Sequence, residues 1–151
     1  VCLVFFDAED NGRIPGWDWI LGSRFFVSRI SALPKCSEPE FAVIVDMIGD
    51  ADQQVYRERN STDYLVDAIW ATAAEIGYGE WIINEPRHAM LDDHAPFLEA
   101  GIPAADMIDF DYPYWHTVDD TFDKVSAESL ARIGRTLEVW IERGAPTERG
   151  N

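Results

Sequence analysis

The chain has 151 residues, enough for one domain with a sizeable core. Its hydrophobic content of 47% and aromatic content of 13% argue against a disordered chain. Its 28 acids against 12 bases give a net charge of −16, which argues against nucleic acid as a partner and fits a cationic one, such as a metal ion or the ammonium of a peptide N-terminus. Surface acidity for solubility, or a salt-adapted source, explains most of the same acids equally well.

In chain order, Cys2–Phe6 is an apolar run that reads as a buried strand, followed by a loop from Asp7 to Asp18. Helical spacing runs from Ile20 to Leu33 and stops before Pro34. Phe41–Met47 is a near-continuous apolar run, the pattern of a strand buried on both faces. A turn at Ile48–Asp52 and a short strand at Gln54–Arg57 follow. Asn60 to Thr62 offers N-cap chemistry for a helix over Asp63–Ile76, with Leu65, Ile69 and Ala73 on one face and Gly77 as its stop. Trp81–Ile83 is a third strand. Asp93 caps a short helix, Ala95–Ala100, closed by Gly101, and Ala104–Ile108 is the next strand. Ser126 caps a last helix whose stripe is Leu130, Ile133, Leu137 and Trp140, ending at Gly144. The alternation predicts an α/β fold with a mostly parallel sheet and helices on both faces. Cys2 reads as a buried thiol and Cys36 as a loop thiol, and the compartment stays undetermined. No apolar run approaches the length of a membrane span.

In such sheets, ligands bind beyond the carboxyl ends of the strands. Glu9 and Asp10 follow the first predicted strand, Asp46 closes the second, Asp92, Asp93 and His94 follow the third, and His116 follows the fourth. Acids and a His at strand ends can build a metal site, since zinc takes carboxylate oxygen and imidazole nitrogen, and a spare carboxylate beside the metal can act as general base. Adjacent Glu9 and Asp10 point in different directions, so one can ligate while the other faces the metal's bound water. An acidic pair after a strand is otherwise a cap or a solvated turn. Asp46 interrupts an apolar run, where a charge is costly unless paired or metal-bound. His116, between Trp115 and Thr117, also fits a satisfied core histidine. Asp119 and Asp120 fit a turn or cap before the last helix, His94 fits a support for its own short helix, and His88 has no motif around it.

Five segments in order resemble the M28 zinc peptidases, and more closely the glutaminyl cyclases that share their fold. They are Phe5-Phe6-Asp7-Ala8-Glu9-Asp10, Asp46-Met47-Ile48-Gly49, Asp92-Asp93-His94-Ala95-Pro96-Phe97-Leu98, Gly101-Ile102-Pro103 and Trp115-His116-Thr117-Val118-Asp119-Asp120. The resemblance implies a zinc-exopeptidase-like fold and zinc as cofactor. It implies Glu9 as catalytic general base, Asp10 as the adjacent zinc ligand in a place where many members have Glu, and His116 as the last zinc ligand. Asp46 would be the ligand of the first zinc in a two-zinc peptidase, or part of the catalytic hydrogen-bond network behind the metal in a cyclase. Asp92 would hydrogen-bond the general base. Trp115 would wall an apolar pocket for a glutaminyl side chain, and Trp17 and Trp19 could add a second wall.

The Asp92-Asp93 doublet and Trp115 before His116 are cyclase-like, whereas Leu91 stands where animal cyclases tend to carry Gln. The family also has an upstream segment with a His-x-Asp ligand, which would lie before Val1. The resemblance therefore implies that residues 1–151 are one domain lacking its N-terminal part, with self-association through the face so uncovered. The expected activity is cyclisation of N-terminal glutamine. The alternatives are aminopeptidase hydrolysis of the first peptide bond and a non-catalytic module of the same fold.

Overall fold

Strand β4 (Ala104–Ile108) pairs in parallel with β1 (Ala42–Asp46), in continuous register from Ala42 opposite Ala104 to Asp46 opposite Ile108. This computed structural model describes residues 1–147. A second parallel ladder joins β2 (Val55–Arg57) to β3 (Ile82–Pro86), with a register shift between Tyr56 and Arg57. Parallel neighbours need a crossover, and helix α2 (Asp63–Glu75) supplies it between β2 and β3. All five residues of β4 are buried, the pattern of a strand covered on both faces. Ala105 and Met107 join the core built by Leu65, Ile69 and Trp70 of α2 with Ile133 and Trp140 of α4 (Ala127–Glu142). Between them, Asp106 turns to the opposite face, where it meets His94 at the start of α3 (Ala95–Glu99). The fold is thus α/β, with parallel ladders and helices on both faces.

The free edge of β4 is satisfied by the residues that open α2. Thr62 N–H donates to the Ala104 carbonyl at 2.7 Å, and the Thr62 hydroxyl accepts from Ala104 N–H at 3.1 Å. The Ser61 hydroxyl accepts from Asp106 N–H at 2.9 Å. Thr62 holds the cap position of α2 but makes no side-chain capping bond, because its hydroxyl is committed to β4. Ser126 does cap α4, accepting from the N–H groups of Glu128 and Ser129. In the stripe of α4, Ile133 and Trp140 are buried, whereas Leu130 remains 43% exposed.

Several expectations need correction. Cys2–Phe6 forms no strand, since no ladder partner lies beside it among the described residues. Leu3 and Phe5 are exposed, while Phe6 turns inward against Phe26 of α1 (Leu21–Arg29) and Phe97 of α3. Cys2 and Cys36 are not separate thiols: a disulfide joins them, with Cα atoms 6.1 Å apart. The loop beyond α1 brings Cys36 back to the N-terminal segment, a return that cysteine spacing does not report. Asp93 does not cap α3. His94 occupies that position in a helical conformation, and the Asp92 carbonyl accepts from Ala95 N–H. β1 is only half-buried, with Val45 45% exposed, because one of its edges has no partner among the described residues. No helix among the described residues is long and apolar enough to cross a membrane.

Candidate active site

The Asp7–Asp10 turn is shaped by its contact with the start of α1. Ile20 N–H donates to the Glu9 carbonyl at 2.7 Å and Leu21 N–H to the Ala8 carbonyl at 3.0 Å. Gly22 makes that approach possible, since a Cβ there would sit 2.1 Å from the Asp7 carbonyl oxygen. Asp10 closes its own turn by accepting from Gly12 N–H through Oδ1 at 2.7 Å. Its other oxygen, Oδ2, faces His116 Nε2 at 3.4 Å. Both side chains are nearly half exposed, at 46% and 42%, so the pair opens to solvent.

Two indoles lie close to His116. Trp115 stacks on it with ring centres 4.0 Å apart, and Trp19 lies on a near-parallel plane at 6.4 Å. The Thr117 N–H and hydroxyl both donate to the Tyr114 carbonyl, closing the turn that holds the imidazole there. Trp115 also lines a cavity of about 150 Å³ with Met47, Asp50 and Tyr112. Left-handed backbone marks the region. Among six such non-glycine residues, Ala8 precedes Glu9, Met47 follows Asp46, and His116 is itself at φ +58°. A side chain in that conformation costs energy, and such costs collect at functional sites.

The acids form one electrostatic group. Burial pushes the Glu9 carboxyl up to about 7, and Asp92, Asp46, Asp93 and Asp10 push the same way. Burial raises Asp92 to about 6; the Asp93 N–H opposes this, Asp46 and Asp93 add to it, and His94 draws it down. Asp46, at the end of β1, is raised by burial against the Met47 N–H, with Asp93 adding to the rise. Asp93 is raised by burial, opposed by the Ser23 hydroxyl and by His94. Carboxylates this close resist simultaneous ionisation, so a proton or a cation is favoured among them.

Asp10 and His116 offer the oxygen and nitrogen donors that suit zinc. No third His, Cys, Asp or Glu, Asp46 included, completes a metal-binding group with them among the described residues. The donor pair therefore fits half of a zinc site, and a full one needs another ligand.

Three groups escaped the sequence reading. Glu58 and Asp106 are fully buried on either side of His94, at 3.3 and 3.5 Å from its two nitrogens. Asp106 interrupts the apolar strand Ala104–Ile108 just as Asp46 interrupts its own, so the signal was present in the sequence. Gly22 carries no such mark, because its role depends on a contact across the fold. His88, without a motif, meets Asp111 at 3.2 Å and packs edge-on against Phe110, which in turn touches Trp115.

The model of peptidase family M28 matches residues 1–141. The glutaminyl-peptide cyclotransferase of Gloydius blomhoffii is 32% identical over 161 residues, covering 92% of this chain and 44% of its own. Among solved structures, a glutaminyl cyclase of Porphyromonas gingivalis superposes with a TM-score of 0.81 at 30% identity, over 93% of this chain and 54% of that one. A leucine aminopeptidase precursor of Bacteroides thetaiotaomicron gives 0.77 at 28% identity, over 88% of this chain and 49% of that one. The chain spans about half the length of the relatives it matches. With ordered motifs, a parallel α/β fold and a family match over nearly its whole length, this chain belongs to peptidase family M28.

Proposed function

We propose that residues 1–151 form part of a single M28 domain whose full-length protein acts on peptide N-termini, cyclising N-terminal glutamine. The observation that carries this reading is Glu9, with its carboxyl raised to about 7, beside the Asp10–His116 donor pair. A base poised near neutral pH suits proton transfer between an α-amine and a leaving amine. Glu9 takes a proton from the substrate's α-amine and returns one to the departing ammonia. Asp92, a buried neighbour in the same carboxylate group, disfavours negative charge on Glu9 and so makes it a stronger base. The half-exposed ring of Trp115 gives the glutaminyl side chain an apolar wall.

Asp10 and His116 would hold zinc together with a ligand from outside the described residues, and Asp46 would serve a second ion or the hydrogen-bond network behind the first. Zinc bound there would polarise the carbonyl under attack. The similarity to an aminopeptidase precursor supports a second reading, in which Glu9 activates water against the first peptide bond.

The test offers glutaminyl and leucyl peptides to the zinc-loaded full-length protein and to its Glu9→Gln variant. Ammonia released from the glutaminyl peptide by the parent, and lost in Glu9→Gln with zinc content retained, is the expected result. Free leucine without ammonia moves the protein to the aminopeptidase reading. Turnover of neither peptide by the parent ends both enzymatic readings and leaves a non-catalytic module.

A further inference from the structure

Glu58 follows β2 and is 3% exposed, yet it gathers donors from three separate turns. Its Oε2 accepts from Asn60 N–H at 2.9 Å, from Ser61 N–H at 2.7 Å and from the Ser61 hydroxyl at 2.8 Å. Its Oε1 accepts from Met90 N–H at 2.8 Å. His94 Nε2 faces Oε2 at 3.3 Å, and His94 Nδ1 faces Asp106 Oδ2 at 3.5 Å. Ser61 links the trio again, since its hydroxyl accepts from Asp106 N–H. Glu58 therefore grips the segment after β3 at Met90 and at His94, and Asp92 and Asp93 lie between those two points.

We propose that Glu58, His94 and Asp106 form a buried clamp that fixes the Asp92–Asp93 turn beside Glu9, with Glu58 as its principal positioning residue. The kinetic part of this inference rests on the proposed catalytic role of Glu9.

The chemistry of the trio is self-consistent. Burial alone would raise Glu58, but His94, the N–H groups of Asn60 and Met90, and Ser61 hold it down to about 2, so it stays an anion. Asp106 is raised well above the ordinary range by burial and by Asp92, Glu58, Asp46 and Asp93. His94 Nδ1 faces the Asp106 carboxyl at 3.5 Å and His94 Nε2 faces the Glu58 carboxylate at 3.3 Å. Each imidazole nitrogen thus faces a carboxyl group, and all three side chains are closed to solvent. The other charged neighbours of this site, Asp92, Asp93 and Asp46, are all acids. An amide cannot replace Glu58 neutrally. Whichever way Gln turns, its NH2 meets a donor, either Met90 N–H or the Asn60 and Ser61 N–H groups.

The experiment compares zinc-loaded full-length protein, with ring-15N-labelled histidine, in parent, Glu58→Gln, Glu58→Asp and His94→Gln forms. In the parent, the His94 ring N–H is expected to exchange slowly with water, and Glu58→Gln to abolish that signal. Turnover per folded molecule should fall about tenfold to a hundredfold in kcat for Glu58→Gln and His94→Gln, with KM held within about twofold. Glu58→Asp should recover part of the loss. A residue that only holds the fold would lower the folded fraction and leave kcat per folded molecule unchanged. If Glu58→Gln does not fold, His94→Gln carries the kinetic comparison. Parent-like kcat in the folded variants overturns the inference, as does a His94 ring proton that exchanges as fast as an exposed imidazole. If the parent turns over neither peptide, the proposed function fails and the clamp stands or falls on the His94 signal and its loss in Glu58→Gln.

Discussion

Asp10 Oδ2 lies 3.4 Å from His116 Nε2, although the two residues are far apart in the chain. Each is placed by strained backbone: Ala8 lies in the left-handed region two residues before Asp10, and His116 is left-handed itself. Energy stored at both ends of one contact favours a binding role over an incidental surface pair.

That pair sets the first prediction. Catalytic zinc sites use about three protein ligands, and the described residues supply two. The isolated 151 residues should therefore bind zinc weakly, and Asp10→Ala or His116→Ala should remove what binding there is. Titration calorimetry checks this. Tight one-to-one binding by the isolated chain would show that a third acid moves in to complete the site.

Gly22 gives a prediction about geometry. A Cβ at this position meets the Asp7 backbone, at 2.1 Å from its carbonyl oxygen and 3.0 Å from its nitrogen, so no flexible side chain can yield. Gly22→Ala should cost about 1–3 kcal/mol in a urea melt and displace Glu9, which is tied to α1 by the Ile20 N–H. Gly134, within α4, has open space where its Cβ would lie. Gly134→Ala should stabilise by about 0.4–1 kcal/mol. Equal and small effects at the two positions would contradict the close approach at Gly22.

The buried acids predict how stability changes with pH. Asp92 and Asp109 each rise from 3.8 to about 6, first through burial; the neighbouring charges Asp46 and Asp93 add to Asp92, and Asp50 and Asp111 add to Asp109. The folded state thus holds these protons more tightly than the unfolded chain. The associated stability is fully present below about 4 and is lost as pH rises through about 6. Glu58 has the opposite sign, and its contribution is lost only as pH falls towards about 2, outside this window. Metal-free protein should melt about 5 °C lower at pH 8 than at pH 5. Asp109→Asn, which keeps an acceptor for Gln54 N–H, should flatten the slope. A melting temperature that rises between pH 5 and pH 8 would reverse the assignment.

The parts legible in the sequence are those whose signals are local. Ala104–Ile108 reads as a strand because a continuous apolar run suits burial on both faces, and Ser126 marks the start of α4 because its hydroxyl caps its own helix. Cys2–Phe6 misleads because an apolar run becomes a strand only with a hydrogen-bonding neighbour. Thr62 misleads in the same way, since its hydroxyl serves β4 rather than α2. Within the candidate site, the order of the acids and His116 was readable, but the left-handed backbone at Ala8, Met47 and His116 was not, because no glycine marks it. The contacts of Glu58 with His94 join residues from separate elements and leave no spacing to read.

The last prediction concerns the uncovered face. β1 has one edge without a partner among the described residues, and Val45 lies 45% exposed on it. A groove of about 480 Å³ runs beside this edge, lined by Leu3, Val4, Phe41, Val43, Phe97 and Trp140. An open strand edge next to an apolar groove invites pairing with another chain. The isolated 151 residues should self-associate as concentration rises. Val45→Lys should suppress this, because an inserted charge is costly to bury in a strand-to-strand contact. Light scattering across a concentration series measures both. A monodisperse monomer at high concentration would refute the expectation, and association unaffected by Val45→Lys would move the contact to a different face.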